Sequence, residues 1–127
     1  MIRYISFMIV AAMSLVAAVS CRKEEPALNQ FANTVWMRHT ALNDTPGFEA
    51  YRFLGDMTYL HRFEDDAGHV LYWYDSGYYE DRPDYGVIAL DYESTRNVCA
   101  YSGNPPSVFL FNRDPALAFY RQNLQNQ

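Results

Sequence analysis

From Thr34 onward the chain is cut into short apolar runs by turn signals at intervals of about ten residues, and this spacing constrains the fold more than any other feature. The runs are "TVWMRHT" (34–40), "FEAYRFL" (48–54), "MTYLHRF" (57–63), "HVLYWY" (69–74), "YGVIALDY" (85–92), "NVCAY" (97–101) and "SVFLF" (107–111). Each is long enough for a strand and too short for a helix that must bury a stripe. The connectors "GD", "EDDAG", "DSG", "ESTR" and "SGNPP" supply the Gly, Pro, Asp, Asn and Ser that close turns. Tyrosine (11) and phenylalanine (8) dominate the apolar side chains, which again favours strands. The pattern predicts an all-β fold, a single antiparallel barrel or sandwich. At 127 residues the chain has room for one such domain, expected over 32–122.

Several local expectations follow. "GD" predicts a hairpin between 48–54 and 57–63. If Phe53 pairs with Thr58, then Tyr51, Phe53 and Leu60 share one face, while Arg52, Tyr59 and His61 share the other. "DSG" (75–77) separates the 69–74 strand from a further one beginning at "YYE", which Pro83 ends. The segment from Arg113 is ambiguous. Asp114 and Pro115 suit the start of a short helix, whereas "LAFYRQ" could close a hairpin with "VFLFN", and the strand is expected. Residues 123–127 form a polar tail expected to fray.

Residues 1–20, "MIRYISFMIVAAMSLVAAVS", carry one charge, Arg3, ahead of an apolar run that closes on small residues. That is the layout of a cleaved signal peptide, with a retained membrane helix as the rival. "AVSC" resembles the lipobox of bacterial lipoprotein signal peptides, with Ala18 where leucine is common. The resemblance implies that Cys21 is acylated and becomes the mature N-terminus. Several acyl chains, each methylene contributing about 0.8 kcal/mol, make a stable anchor. Lys23, Glu24 and Glu25 directly behind it resemble the surface-export signal of Bacteroidetes-type lipoproteins; a solvated charge cluster in a linker is the plainer alternative. Residues 21–31 then read as a polar tether. The implied address is the outer membrane, on the cell surface if the export signal holds.

"NTVWM" near the mature start and the hairpin "YRFLGDMTYLHRF" resemble the small lipocalin-like barrels of such lipoproteins, with Thr34 where those barrels usually carry glycine. The resemblance implies a non-enzymatic barrel that holds a small apolar or amphipathic ligand in its mouth.

The residues themselves offer little catalytic chemistry. A net charge of -5 and a single lysine argue against nucleic acid, which selects basic stripes. His39, His61 and His69 lack helical metal-ligand spacing. Adjacent strands could bring His61 and His69 to Glu64–Asp66, but polar turn residues explain these better than a zinc site does. No serine sits in a GxSxG setting, and Cys99 lies in a strand-like stretch as a small hydrophobe. No metal or cofactor is expected, and the chain is not expected to be an enzyme. The most distinctive mature stretch is "LYWYDSGYYEDRPDY" (71–85). Tyr72, Tyr74, Tyr78 and Tyr79 are candidates for binding a glycan or an envelope protein, because tyrosine pairs a flat apolar face with a polar tip. Tyr72 and Tyr74 should share one strand face, Leu71 and Trp73 the other.

Overall fold

A computed structural model of the chain describes residues 29–123. Eight antiparallel strands close into a barrel in sequence order: β1 (Thr34–Leu42), β2 (Thr45–Phe53), β3 (Thr58–Glu64), β4 (Val70–Arg82), β5 (Val87–Tyr92), β6 (Thr95–Ser102), β7 (Val108–Leu110) and β8 (Ala118–Arg121). The expected all-β antiparallel fold is thus the observed one, and it is a closed barrel. A single 3-10 turn, Phe111–Arg113, follows β7. The ambiguous C-terminal segment forms β8, which pairs back with β1 through Trp36–Arg121 and Met37–Tyr120. Asp114 caps a turn rather than a helix, accepting the Ala116 N–H. The leader, Cys21 and the Lys23–Glu25 cluster lie outside the described residues, as does the tail beyond Asn123.

Each hairpin has a local cause. Asn43 and Asp44 hold φ of 50° and 67°, the left-handed pair that a two-residue turn needs to match strand twist. The "GD" turn joins β2 to β3 as expected, but the register differs by one residue: Phe53 pairs with Tyr59, not Thr58. Because side chains alternate at period two, this slip moves Tyr59 and His61 to the inner face and leaves Leu60 outside beside Arg52. "DSG" is no turn. Residues 70–82 form one long strand that bends through two register shifts against β3. Gly77 is required within it, since a Cβ there would run into the Asp91 carbonyl oxygen and the Tyr59 ring.

The barrel is filled by its own rings. Trp36 stacks on Phe31 at 5.2 Å and leans on Phe109 at 5.3 Å, and Phe109 lies parallel to Phe119 at 5.1 Å. Tyr51, Phe53, Tyr59, Tyr79, Ile88, Leu90 and Cys99 complete the cluster. Such T-shaped and offset pairs contribute about 0.5–1.5 kcal/mol each beyond burial. Phe31, placed by sequence in the tether, is 0% exposed and plugs the end where β1 begins. Thr34 secures that plug: its hydroxyl donates to the Phe31 carbonyl and accepts from the Trp36 indole N–H.

Candidate binding site at the barrel mouth

With Phe31 sealing one end, the mouth lies at the opposite end, where β2 starts and β3 finishes. Here the inner face turns polar. Arg38 on β1 sits directly across from Glu49 on β2, and its Nε and Nη2 both donate to Glu49 Oε1, at 3.2 and 2.7 Å. Glu49 Oε2 meets His61 Nε2 at 2.6 Å, and His61 Nδ1 meets Asp75 Oδ2 at 3.0 Å. The Tyr59 hydroxyl donates to the other Asp75 oxygen at 3.1 Å. A belt of four charged or imidazole side chains, Arg38, Glu49, His61 and Asp75, therefore spans four adjacent strands, with the Tyr59 hydroxyl joined to its Asp75 end. Both His61 nitrogens face carboxylate oxygens, and the imidazole can donate to both only when both nitrogens carry hydrogen.

Electrostatics and packing fix this belt. Burial would push the Glu49 carboxyl upward, but hydrogen bonds from His61 and Arg38 outweigh it and hold the group below its ordinary value. Burial, reinforced by Glu49 and Asp75, raises the Tyr51 phenol far above its usual range. The His61 ring lies between Tyr51, 4.1 Å away and 7° from parallel, and Tyr74, 4.6 Å away. The register shift beside His61 makes Tyr74 an extra residue on β4, because Arg62 pairs with Trp73 and His61 with Asp75. Bulges commonly re-aim side chains beside functional sites, and this one lays Tyr74 over the histidine. Tyr72 meets Tyr74 edge to face at 5.2 Å and stands 53% exposed at the rim. Gly47 keeps space at the same end, since a Cβ there would press into the Phe63 ring at 2.7 Å.

The four candidate tyrosines do not act as one surface. Tyr72 and Tyr74 line the mouth together, as alternation predicts. Trp73 faces outward under the Arg62 guanidinium, 5.1 Å from its ring centre. Tyr78 projects outward at 66% exposure, and Tyr79 is 2% exposed in the core, its hydroxyl donating to the Leu54 carbonyl. Tyr79 is thus a packing residue, because β4 turns its alternate side chains inward below the bulge.

The histidines are separate. His39 packs against Phe48, His61 belongs to the belt, and His69 meets Asp65 in the β3–β4 loop. The Glu64–Asp66 cluster never meets His61. Glu64 is instead 0% exposed on the outer wall, between Arg52 at 2.8 Å and Arg62 at 2.8 Å. Cys99 is a buried free thiol, and burial pushes it up to about 11, away from nucleophilic use.

Sequence reasoning did not nominate Arg38, Glu49 or Asp75. The available signal was a charge two residues from an inward aromatic, as in Trp36–Arg38 and Glu49–Tyr51, which puts both on the same strand face. No family model, curated protein or solved structure matches this chain.

Proposed function

We propose that this protein is an acylated envelope lipoprotein of the Bacteroidetes type, anchored at the outer membrane through Cys21, with a non-enzymatic lipocalin-like barrel that receives a small amphipathic ligand at its mouth. The observation that carries the binding reading is the union of Tyr72 and Tyr74 with the Arg38–Glu49–His61–Asp75 belt. Flat apolar walls over a few fixed polar groups are the usual composition of a ligand site. Only two Arg38 nitrogens are engaged by Glu49, so its remaining donors can meet a polar head group. The interior below is occupied by aromatic rings, which restricts the ligand to the rim. A non-enzymatic role is supported by the engagement of both His61 nitrogens and by the inert Cys99 thiol.

The anchor is tested by fatty-acid labelling of wild type and Cys21→Ser; labelling that survives the substitution rules it out. The mouth is tested with anilinonaphthalene sulfonate as an amphipathic probe. Fluorescence enhancement by wild type should be lost in Tyr72→Ala/Tyr74→Ala and kept in Tyr78→Ala. The reverse pattern would favour the second reading, in which the outward Trp73 and Tyr78 grip a glycan or an envelope protein.

A further inference from the structure

The closed end of the barrel carries an apolar rim that the fold does not use. Leu54 and Met57 in the β2–β3 loop are 37% and 40% exposed, and Tyr85 in the β4–β5 loop is 71% exposed. Tyr78 projects from the same end of β4, beside a groove of about 330 Å³ along Leu60 and Ser76. A second exposed apolar group, Val70, Leu71, Tyr72 and Trp73, lies at the opposite end; adjoining exposed side chains of this size commonly mark a contact surface.

The described chain begins at this same end. The Asn29 side-chain amide contacts Met57 Sδ at 3.2 Å and donates to the Tyr79 hydroxyl at 2.6 Å, so the chain emerges beside Met57 and Leu54. Only residues 22–28 separate Asn29 from Cys21, a span of at most roughly 28 Å when fully extended. The chain therefore enters the barrel on the side that carries the apolar rim.

From this placement, and resting on the acylated-Cys21 reading, we infer that the closed end of the barrel docks on the lipid bilayer, with Leu54, Met57, Tyr78 and Tyr85 seated at the head-group level. The chemistry suits that interface. Tyrosine places its ring among lipid and its hydroxyl in water. The Arg82 guanidinium lies over the Tyr85 ring at 5.5 Å and 3.5 Å from the Glu80 carboxylate, a half-exposed surface pair whose remaining N–H groups can meet phosphate. The Asp56 carboxylate is folded back onto Thr58, accepting from its backbone N–H at 3.2 Å and from its hydroxyl. Docking in this pose points the mouth away from the membrane.

The experiment uses the full acylated protein in phosphatidylethanolamine–phosphatidylglycerol vesicles. An environment-sensitive fluorophore is attached at Leu54→Cys, Tyr85→Cys or, at the opposite end, Ser94→Cys, and spin-labelled lipids are added as quenchers. All three sites are exposed turns, so folding is retained. Quenching at 54 and 85 with none at 94 is the expected result. Equal quenching at all three sites, or none at any while the protein still floats with vesicles, overturns the docking and leaves the anchor standing. Failure of the acylated preparation to float overturns the anchor reading and the docking together.

Discussion

Tyr51 and His61 lie face to face across the β2–β3 pair, their centroids 4.1 Å apart and their planes within 7°. The two residues are direct cross-strand partners, so one stacking contact joins the aromatic interior to the charged belt of the mouth. His61→Ala would remove that contact and leave Glu49 and Asp75 facing one another without a donor between them. A loss of about 1–3 kcal/mol is expected, read as a lower urea midpoint. His61→Gln, which keeps a donor but not the stacking ring, should recover part of it.

Glu64 gives the fold a pH dependence. Burial acts to raise its carboxyl, but hydrogen bonds from Arg52 and Arg62 outweigh burial and hold the group below its ordinary value. Glu49 is lowered in the same direction. A carboxylate depressed in the folded state stabilises above its unfolded value, near 4.3, and that stability is lost as pH falls through the folded value. The urea midpoint should therefore drop between about pH 5 and about pH 3. Glu64→Gln should flatten this slope and cost about 2 kcal/mol at neutral pH, less than a fully buried broken pair because both guanidiniums still reach water. An unchanged slope would assign the acid sensitivity to other groups.

Phe31 fills the closed end against Trp36, Phe53 and Tyr101. Phe31→Ala should cost about 3–5 kcal/mol and shift Trp36 emission toward the red as water reaches the indole. Phe31→Leu should restore most of the stability. Wild-type emission in the alanine variant would show that the plug is dispensable.

Gly77 and Gly55 make a matched pair. A Cβ at 77 meets the Asp91 carbonyl oxygen, whereas at 55 the nearest atom is the Asn33 side chain at 3.8 Å. Gly77→Ala should lower the thermal midpoint by many degrees through separation of β4 from β5, and Gly55→Ala should leave it nearly unchanged. Similar midpoints for the two variants would contradict the close crossing.

Cys99 should resist thiol reagents. Its thiol is 0% exposed and pushed up to about 11 by burial, so in Cys21→Ser, where it is the remaining cysteine, modification should proceed at the rate of global unfolding. Fast labelling in native buffer would place the thiol within reach of solvent.

The barrel class was legible because turn residues and aromatic runs act locally and recur along the whole chain. Closure was not, since β8 meets β1 through two residue pairs separated by most of the sequence. The mouth was hidden for a narrower reason. "FLGDMT" admits two hairpin registers, and the choice between Thr58 and Tyr59 opposite Phe53 decides whether His61 faces water or the interior. "LYWYDSGYY" likewise gives no sign that Leu71 and Tyr74 will be the extra residues of two bulges, because a bulge is set by the partner strand as much as by its own residues. Once those shifts are in place, Tyr74 covers His61 and Tyr79 enters the core.

The plug has a mechanical side. Asn29 and Gln30 fasten the incoming chain to Tyr79 and Asp81 of β4, and Phe31 is wedged behind them against Trp36. Tension applied to the chain ahead of Asn29 would thus be borne first by these side chains and then by a ring seated inside the barrel, before it reaches the β1 ladder. Pulling Phe31 free would uncover Trp36 and unseal the closed end, so the resistance of the domain to a pull on its N-terminal side rests on two polar side chains and one phenylalanine.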